Sequence, residues 1–313
     1  MSKTDKKSKQ IQQTALESWL NQLSPAQQQR LRFLEAKLVW EGKINRKAIC
    51  EQFDLTPNHI TREISDYRNY FPQNLSYDVT ARAYQATEKF EPYFFKYEPG
   101  EYLSLLKLYA TDESSTILSE LASPIAAEVL AEPMGKLQQH VLQLLIRAVH
   151  SHTGLRIAYL SFSQAREIER DIWPHTFIWN GDRWHVRAFD KLRHEYIDIV
   201  PQRITKVAAL NRQLPTSATE DHDWIESEQL SVIPNPNFSK KQQAMIGQEY
   251  GMEEIGKQLT WRVNLRRCLI PYFLFRYRLD QLNDTTQNRI VLKNKDLVRR
   301  FAFAYKQSNT SES

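Results

Sequence analysis

The sequence predicts a multidomain α+β chain: helices first, then a cluster of short strands, then a mixed extension. Three observations predict it. Apolar residues recur at helical spacing over residues 14–70, the period of amphipathic helices. Between residues 155 and 200 four short runs are separated by turn-like segments, among them Asn180-Gly181-Asp182, the pattern of hairpins in a small, strongly bent sheet or barrel. A length of 313 residues with 41% hydrophobic and 25% charged content suits about two or three domains, each able to bury a core.

Composition excludes several classes. Cys50 and Cys268 can build neither a disulfide framework nor a Cys-rich zinc site, and they suit a reducing compartment. No run approaches the ~18 apolar residues of a membrane span. The start, MSKTDKKSKQ, is polar and basic, unlike a signal peptide, so a cytoplasmic protein is expected. Eight glycines are poor material for a phosphate-cradling nucleotide site.

Charge is unevenly distributed. The net is +3 over residues 1–100, −4 over 101–140, +3 over 141–210, −5 over 211–254 and +8 over 255–313. Three basic blocks, each able to meet a polyanion, alternate with two acidic connectors.

The first block contains a compact pair of helix signals behind an apolar-periodic lead (Leu20, Leu31, Leu34, Leu38). Asn45 is placed to cap a helix through Ala48, Ile49 and Phe53. Asp54-Leu55 turns, and Thr56 is placed to cap a second helix with Pro57 at its first position. That second helix puts Ile60, Ile64 and Tyr67 on one face and Asn58, His59, Thr61, Arg62 and Arg68 on the other. Two short helices joined so briefly form a helix-turn-helix, whose second helix enters the DNA major groove. Leu75–Asp78 and Arg82–Gln85 suit a small hairpin, a wing. Asn58, His59, Thr61 and Arg62 are the candidates for base readout, with Arg62 suited to guanine and Asn58 to adenine. Arg46, Lys47, Arg68 and Arg82 are candidates for phosphate contact. A generic helical hairpin with a charged outer face has the same pattern.

Residues 101–134 read as linker helices, with Leu103, Leu106 and Tyr109 repeating before Leu118, Leu121 and Val129, and Lys136–His150 as a further helix. Candidate strands follow at Leu155–Phe162, Ile168–His175, Arg183–Asp190 and Glu195–Val200. In Arg183–Ala188 the period of two puts Trp184, Val186 and Ala188 on one face and Arg183, His185 and Arg187 on the other. Groups of like charge on one strand face need water or an anion for company. Arg170 and Arg203 sit on neighbouring candidate strands, and Tyr159, Ser161, Ser163 and His175 add hydrogen-bonding groups. Together these residues suit a phosphate-bearing ligand. An exposed strand with no ligand, and Tyr159 in the core, is the plainer alternative.

These stretches carry a resemblance. Ile157–Tyr159, Ser161–Ser163, Arg170, Pro174-His175, the run Arg183-Trp184-His185-Val186-Arg187-Ala188 and Pro201–Ile204 resemble a WYL domain. More narrowly they resemble WYL transcriptional repressors of the BrxR/CapW type, in which Trp-His-Val stands where Trp-Tyr-Leu names the domain. The resemblance covers nearly the whole chain. It implies a winged helix-turn-helix over 1–97, a helical linker over 98–135, a small Sm/SH3-like WYL barrel over 136–212, and an acidic linker with a C-terminal dimerisation extension over 213–313. It further implies a homodimeric repressor of an anti-phage defence locus. Such a repressor binds inverted-repeat operator DNA and is released by a nucleotide or short nucleic acid in the WYL domain.

In the last block an acidic, Pro-punctuated linker (Asp221–Pro236) is expected before a strand at Leu259–Leu265, a helix at Arg266–Leu279 and a strand at Asn288–Leu292. Ile270, Phe273, Leu274 and Tyr277 form a stripe that suits a core, while Arg266, Arg267, Arg276 and Arg278 are able to frame a partner's ligand pocket. Gly251–Lys257 has P-loop spacing, but Gln258 replaces the hydroxyl residue that would hold magnesium. There is no HExxH pair and no Gly-x-Ser-x-Gly elbow, so no catalytic residue, metal or cofactor is expected. Two other classes remain open: an accessory nucleic-acid-binding module that stimulates a partner nuclease or helicase, and a hydrolase with an unfamiliar site.

Overall fold

A computed structural model describes residues 14–96, 98–111, 125–130, 135–215, 218–281 and 288–303. The chain divides into two units, Met1–Ala131 and Glu132–Ser313, and each is taken by itself.

In the first unit a helix over residues 14–22 (α1) precedes α2 (Pro25–Glu41). A capping box between Ser24 and Gln27 starts α2, and Gly42 ends it in the left-handed region at φ 72°, where a Cβ would be strained. Strand β1 (Lys43–Ile44) leads into α3 (Arg46–Phe53) and α4 (Pro57–Tyr70), and the hairpin β2 (Leu75–Asp78) and β3 (Ala83–Ala86) completes a sheet of order β1-β3-β2. The expected winged helix-turn-helix is therefore present, with one more strand than the sequence suggested. Asn45 caps α3, its Oδ1 accepting from Ala48 N at 2.8 Å. Thr56 does not cap α4 as expected: its side chain takes no helix N–H and lies 3.2 Å from His59 Nδ1 instead. The start of α4 rests on Pro57, whose ring presets φ and removes one orphan donor.

Leu31, Leu34, Leu38, Ile49, Ile60, Ile64 and Tyr67 are buried together, each contributing roughly 1.5–3 kcal/mol by leaving water. Among them lies a fully buried carboxylate, Glu35. It accepts from Tyr67 Oη at 2.7 Å, from the backbone N–H groups of Tyr93 at 3.0 Å and Phe95 at 2.8 Å, and from Phe94 N. The segment after the wing is thus tied to α2. Helix α5 (Pro99–Thr111) follows. Of the linker residues expected to be helical beyond it, Leu118 and Leu121 lie outside the described residues, and Val129 sits in irregular chain at 125–130.

The second unit opens with α6 (Gln139–Ser151), three residues shorter at its start than expected. Five antiparallel strands follow: β4 (Thr153–Ser161), β5 (Arg166–Trp179), β6 (Trp184–Asp190), β7 (Glu195–Ile199) and β8 (Ile204–Gln213), ordered β7-β6-β5-β4-β8. The expected barrel does not close: β7 and β8 are the two edges of an open sheet. Strand β5 continues past its expected end at His175, because a bulge between Pro174 and Thr176 absorbs one residue and the pairing to β6 resumes. Arg203 lies in the short 3-10 turn Pro201–Arg203 rather than on a strand.

One sheet face packs Leu155, Ile157, Tyr159, Ile172, Val186, Ala188 and Ile199 beneath Val141, Leu145 and Ala148 of α6. Strand register puts Trp173, Thr176, His185, Arg187, Phe189, Tyr196 and Asp198 on the other face.

The expected acidic linker contains structure. Helix α7 (His222–Ile225) and strand β9 (Ser227–Pro234) lie within it, and β9 is an interior strand of a four-stranded sheet. Its Leu230 and Val232 are fully buried, an apolar core that the flanking acids and prolines disguise. The remaining elements are α8 (Lys240–Glu249), β10 (Glu253–Ile255), β11 (Gln258–Arg266), α9 (Ile270–Arg276), β12 (Ile290–Leu292) and α10 (Asp296–Phe301). The helix expected over Arg266–Leu279 is shorter because β11 extends through Arg266 and a 3-10 turn intervenes. Its apolar stripe is core, with Ile270 and Leu274 fully buried and Phe273 and Tyr277 packed against them. The P-loop look-alike is a β10–β11 hairpin turning at Gly256-Lys257.

Candidate nucleic-acid interface and ligand face

The outer face of α4 is set by its inner one. Ile60, Ile64 and Tyr67 are at most 1% exposed, so the helical period turns Asn58, His59, Thr61, Arg62 and Arg68 outward, and all five are exposed. Glu63 fixes the helix against α2, taking Arg30 Nε at 2.8 Å. Arg46, at the start of α3, donates from Nη1 to Thr61 Oγ1 at 3.1 Å, and Thr61 in turn donates to Pro57 O at 2.7 Å. Arg46 and Thr61, assigned separate roles by the sequence, therefore form one bridge between the two helices. Lys47 faces Glu51 at 3.5 Å across an exposed helical turn. Arg82 is exposed at the wing turn with φ 50°. Asn58, Arg62, Arg68 and Arg82 make no side-chain hydrogen bond or ion pair among the described residues. The result is an exposed helix carrying free amide and guanidinium donors, flanked by further cations.

The nine residues expected to form a ligand site do not converge on one place. Tyr159, Ser161 and Arg170 lie on the α6 side of the sheet. There the Tyr159 hydroxyl accepts from Val200 N at 3.3 Å, and Arg170 is buried in an ion pair with Asp190. Ser161 is buried beside Ser163, whose hydroxyl is 3.3 Å away. His175, His185 and Arg187 lie on the opposite side. Arg183 is exposed and unpaired among the described residues, and Arg203 sits over the Phe162 ring at 5.8 Å.

The expectation that Arg183, His185 and Arg187 need water or an anion for company is corrected at Arg187. Arg187 is only 5% exposed, and its counter-charges come from the same chain. Its Nη1 donates to Asp198 Oδ1 at 3.0 Å, its Nε to Asp221 Oδ2 at 2.6 Å and its Nη2 to Asp221 Oδ1 at 2.8 Å. Asp198 also takes the Tyr272 hydroxyl at 2.7 Å, and His175 Nε2 lies 3.0 Å from Asp221 Oδ2. Burial alone would raise the Asp221 carboxyl, but the hydrogen bonds from His175 and Arg187 and the Arg187 charge outweigh it and hold it at about 2. Burial lowers the His185 imidazole; the Asp198 charge opposes this, and the charges of Arg183 and Arg203 add to it. The His185 ring lies tilted at 40° to that of Tyr272, with centroids 5.1 Å apart.

Sequence reasoning missed Asp198, Asp221 and Tyr272 at this site. Asp198 was findable, since it is the cross-strand partner of Arg187. Asp221 and Tyr272 arrive from distant segments and left no local signal. Of the four arginines proposed to frame a partner's pocket, three are engaged within the chain. Arg266 covers the Trp224 ring at 4.1 Å, Arg267 binds Glu226 and Glu228, and Arg276 donates to Gly181 O at 2.6 Å. No group of three metal-ligating side chains occurs among the described residues, and none of their helices is long and apolar enough to cross a membrane.

A winged helix-turn-helix, a five-stranded domain built around the Trp-His-Val strand and an α/β C-terminal domain define a WYL-domain protein. Three family models match the parts in order: the BrxR transcriptional regulator winged helix-turn-helix domain over residues 26–108, the WYL domain over 140–208, and the BrxR transcriptional regulator C-terminal dimerization domain over 227–298. The chain belongs to the WYL-domain regulators of the BrxR/CapW type. It is 29% identical over 279 residues to the DNA-binding transcriptional repressor CapW of Pseudomonas aeruginosa, covering 87% of this chain and 91% of that one. The protein of the same name from Escherichia coli strain KTE188 is 28% identical, with coverage of 87% and 90%. That from Stenotrophomonas maltophilia is 25% identical, with coverage of 88% and 92%. Proteasome accessory factor B/C of Arthrobacter aurescens superposes with a TM-score of 0.27 at 14% identity, and this chain spans 49% of its length.

Proposed function

We propose that this chain is a homodimeric, sequence-specific DNA-binding transcriptional repressor that controls an anti-phage defence locus from inverted-repeat operator DNA. The observation that carries the reading is the outer face of α4, where Asn58 and Arg62 stand exposed and unpaired over a rigidly buried stripe. In this reading Asn58, His59, Thr61 and Arg62 meet base edges, while Arg46, Lys47, Arg68 and Arg82 meet phosphates. The names of the curated relatives and of the C-terminal family model support repression and self-association.

The WYL domain is the sensor in this proposal, and its effector is a nucleotide or short nucleic acid. Of the four arginines proposed for the ligand face, Arg183 and Arg203 make no ion pair among the described residues, and both act on His185. An effector lowers operator affinity only by binding the DNA-incompetent state more tightly, with a usual coupling of ~1–3 kcal/mol.

Fluorescence anisotropy on duplex DNA from upstream of the gene, beside a scrambled duplex, tests the operator reading. Binding that is lost on scrambling supports it. Equal and steeply salt-dependent binding to both duplexes reports phosphate contacts alone, which overturns it in favour of an accessory nucleic-acid-binding module.

A further inference from the structure

A cleft of about 330 Å³ opens beside the Arg187–Asp221 pair, and its lining differs from the basic residues discussed above. Trp173, His175, Tyr196 and Trp224 form its walls, Glu220 and Asp221 line its polar side, and no Lys or Arg lines it. His175 stands edge-on to both Tyr196 and Trp224, with ring centroids 5.5 and 5.6 Å apart. Trp173 is pinned by its indole N–H to Arg212 O at 3.1 Å. It also lies so close to Gly154 that a Cβ there would sit 2.8 Å from the indole. The aromatic walls are thus fixed before any guest arrives.

The polar groups divide into two kinds. Asp221 is saturated: Arg187 Nη2 and Trp224 N reach Oδ1, while Arg187 Nε and His175 Nε2 reach Oδ2. Its carboxylate shapes the cleft and has nothing left to offer a guest. Glu220, one residue earlier, is exposed and makes no side-chain hydrogen bond or ion pair among the described residues. The Tyr196 hydroxyl likewise has no hydrogen-bond partner among them. The cleft therefore offers aromatic walls, the free Glu220 carboxylate as acceptor and the free Tyr196 hydroxyl as donor, with the Thr219 hydroxyl and the His152 ring also in its lining.

We propose that this cleft binds a single nucleobase, and specifically guanine. The base stacks on the aromatic walls. A carboxylate at the position of Glu220 accepts from two adjacent N–H groups, as it does from a guanidinium. Among the common bases guanine presents an adjacent imino N–H and amino group, with a carbonyl oxygen beside them for the Tyr196 hydroxyl. Phosphate finds no Lys or Arg in this lining, so the cleft reads the base and leaves any phosphate to solvent or to cations elsewhere. The inference rests on the reading of the WYL domain as a nucleic-acid sensor and names what that sensor reads.

The test is isothermal titration of the full chain with guanosine, guanosine 5′-monophosphate, adenosine and uridine. Guanosine and its monophosphate are expected to bind equally, about tenfold or more tighter than uridine. Glu220→Gln is expected to lower guanosine affinity about tenfold, the loss of a charge-assisted pair of hydrogen bonds, and to leave adenosine unchanged. Trp224→Phe keeps an aromatic wall where Trp224→Ala risks the fold, and it weakens all bases together. Equal affinity for uridine and guanosine, or a guanosine affinity untouched by both variants, overturns the proposal.

A parallel operator-release assay separates this inference from the reading beneath it. A short single-stranded oligonucleotide that releases operator equally from wild type and both variants, with guanosine not binding, sinks the cleft and leaves the sensor reading standing. Guanosine binding that Glu220→Gln weakens, without any nucleic-acid ligand changing operator affinity, upholds the cleft and sinks the sensor reading.

Discussion

The Asp221 carboxylate grips the Arg187 guanidinium side-on, with contacts of 2.6 and 2.8 Å. Through that grip the chain leaving the WYL sheet is bound back onto the strand that carries the Trp-His-Val run. What reads as a linker is therefore part of the domain's covered face.

Removing one partner of this pair strands the other. Asp221→Ala leaves buried Arg187 with Asp198 at 3.0 Å and the more exposed Asp223 at 4.0 Å as its counter-charges, and a loss of about 3 kcal/mol of stability is expected. The double variant Arg187→Met/Asp221→Leu, which removes both charges, is expected to lose less than the single variant. Denaturant unfolding of the three proteins reads both numbers, and a double variant less stable than Asp221→Ala contradicts the account.

The same carboxylate makes stability pH-dependent. Asp221 is held at about 2 in the fold, against about 3.9 in an unfolded chain. The depressed value means its contribution is fully present above about pH 4 and is lost as pH falls toward about 2, amounting to roughly 2 kcal/mol. Unfolding midpoints of wild type and Asp221→Asn, followed from pH 5 to 2, should converge across that window. Parallel curves would contradict the assignment.

On α4 the two kinds of arginine are expected to separate. Arg62→Ala reduces discrimination between operator and scrambled duplex by about 1–3 kcal/mol, the usual value of a bidentate base contact. Arg68→Ala weakens both duplexes alike and lowers the slope of log affinity against log salt by about one. Salt titrations of anisotropy on the two duplexes distinguish these outcomes.

Glu35 is expected to matter as much as any apolar residue around it. Glu35→Ala leaves three backbone N–H groups and the Tyr67 hydroxyl without their buried acceptor, at a cost of about 3 kcal/mol. Tyr67→Phe removes one donor to Glu35 and one acceptor of Asn74 Nδ2, which keeps its bond to Glu91 O, and is expected to cost about 1 kcal/mol. Urea unfolding curves measure both.

The helix-turn-helix was legible in the sequence because every local signal agreed. Asn45, Pro57 and the Ile60–Ile64–Tyr67 stripe each mark a feature that the structure contains. The Arg183–Ala188 strand was legible only by half. Its alternation gave the buried side, Val186 and Ala188, but not the partners of the other side. Of the acids that neutralise Arg187, Asp198, 11 residues on, was within reach of hairpin pairing, but Asp221, 34 residues away, left no signal in the periodicity. Strand β9 was hidden by its neighbours, since Asp221, Asp223 and Glu226 before it and Pro234 and Pro236 at and beyond its end give the composition of a loop around a short apolar centre. The open sheet had no sequence signature at all, because closure depends on whether edge strands meet in space.

Strand β9 also sets the timetable on which this molecule is made. One of its flanks is covered by β11, but the other is covered by Ile290–Leu292, which leaves the ribosome long after β9 itself. Until those residues emerge, a nascent chain presents a hydrogen-bonding edge beside its apolar core, open to the same strand of a neighbouring chain on the same message. Pauses or breaks in translation short of Ile290 are therefore where this protein is most exposed to capture by its own siblings.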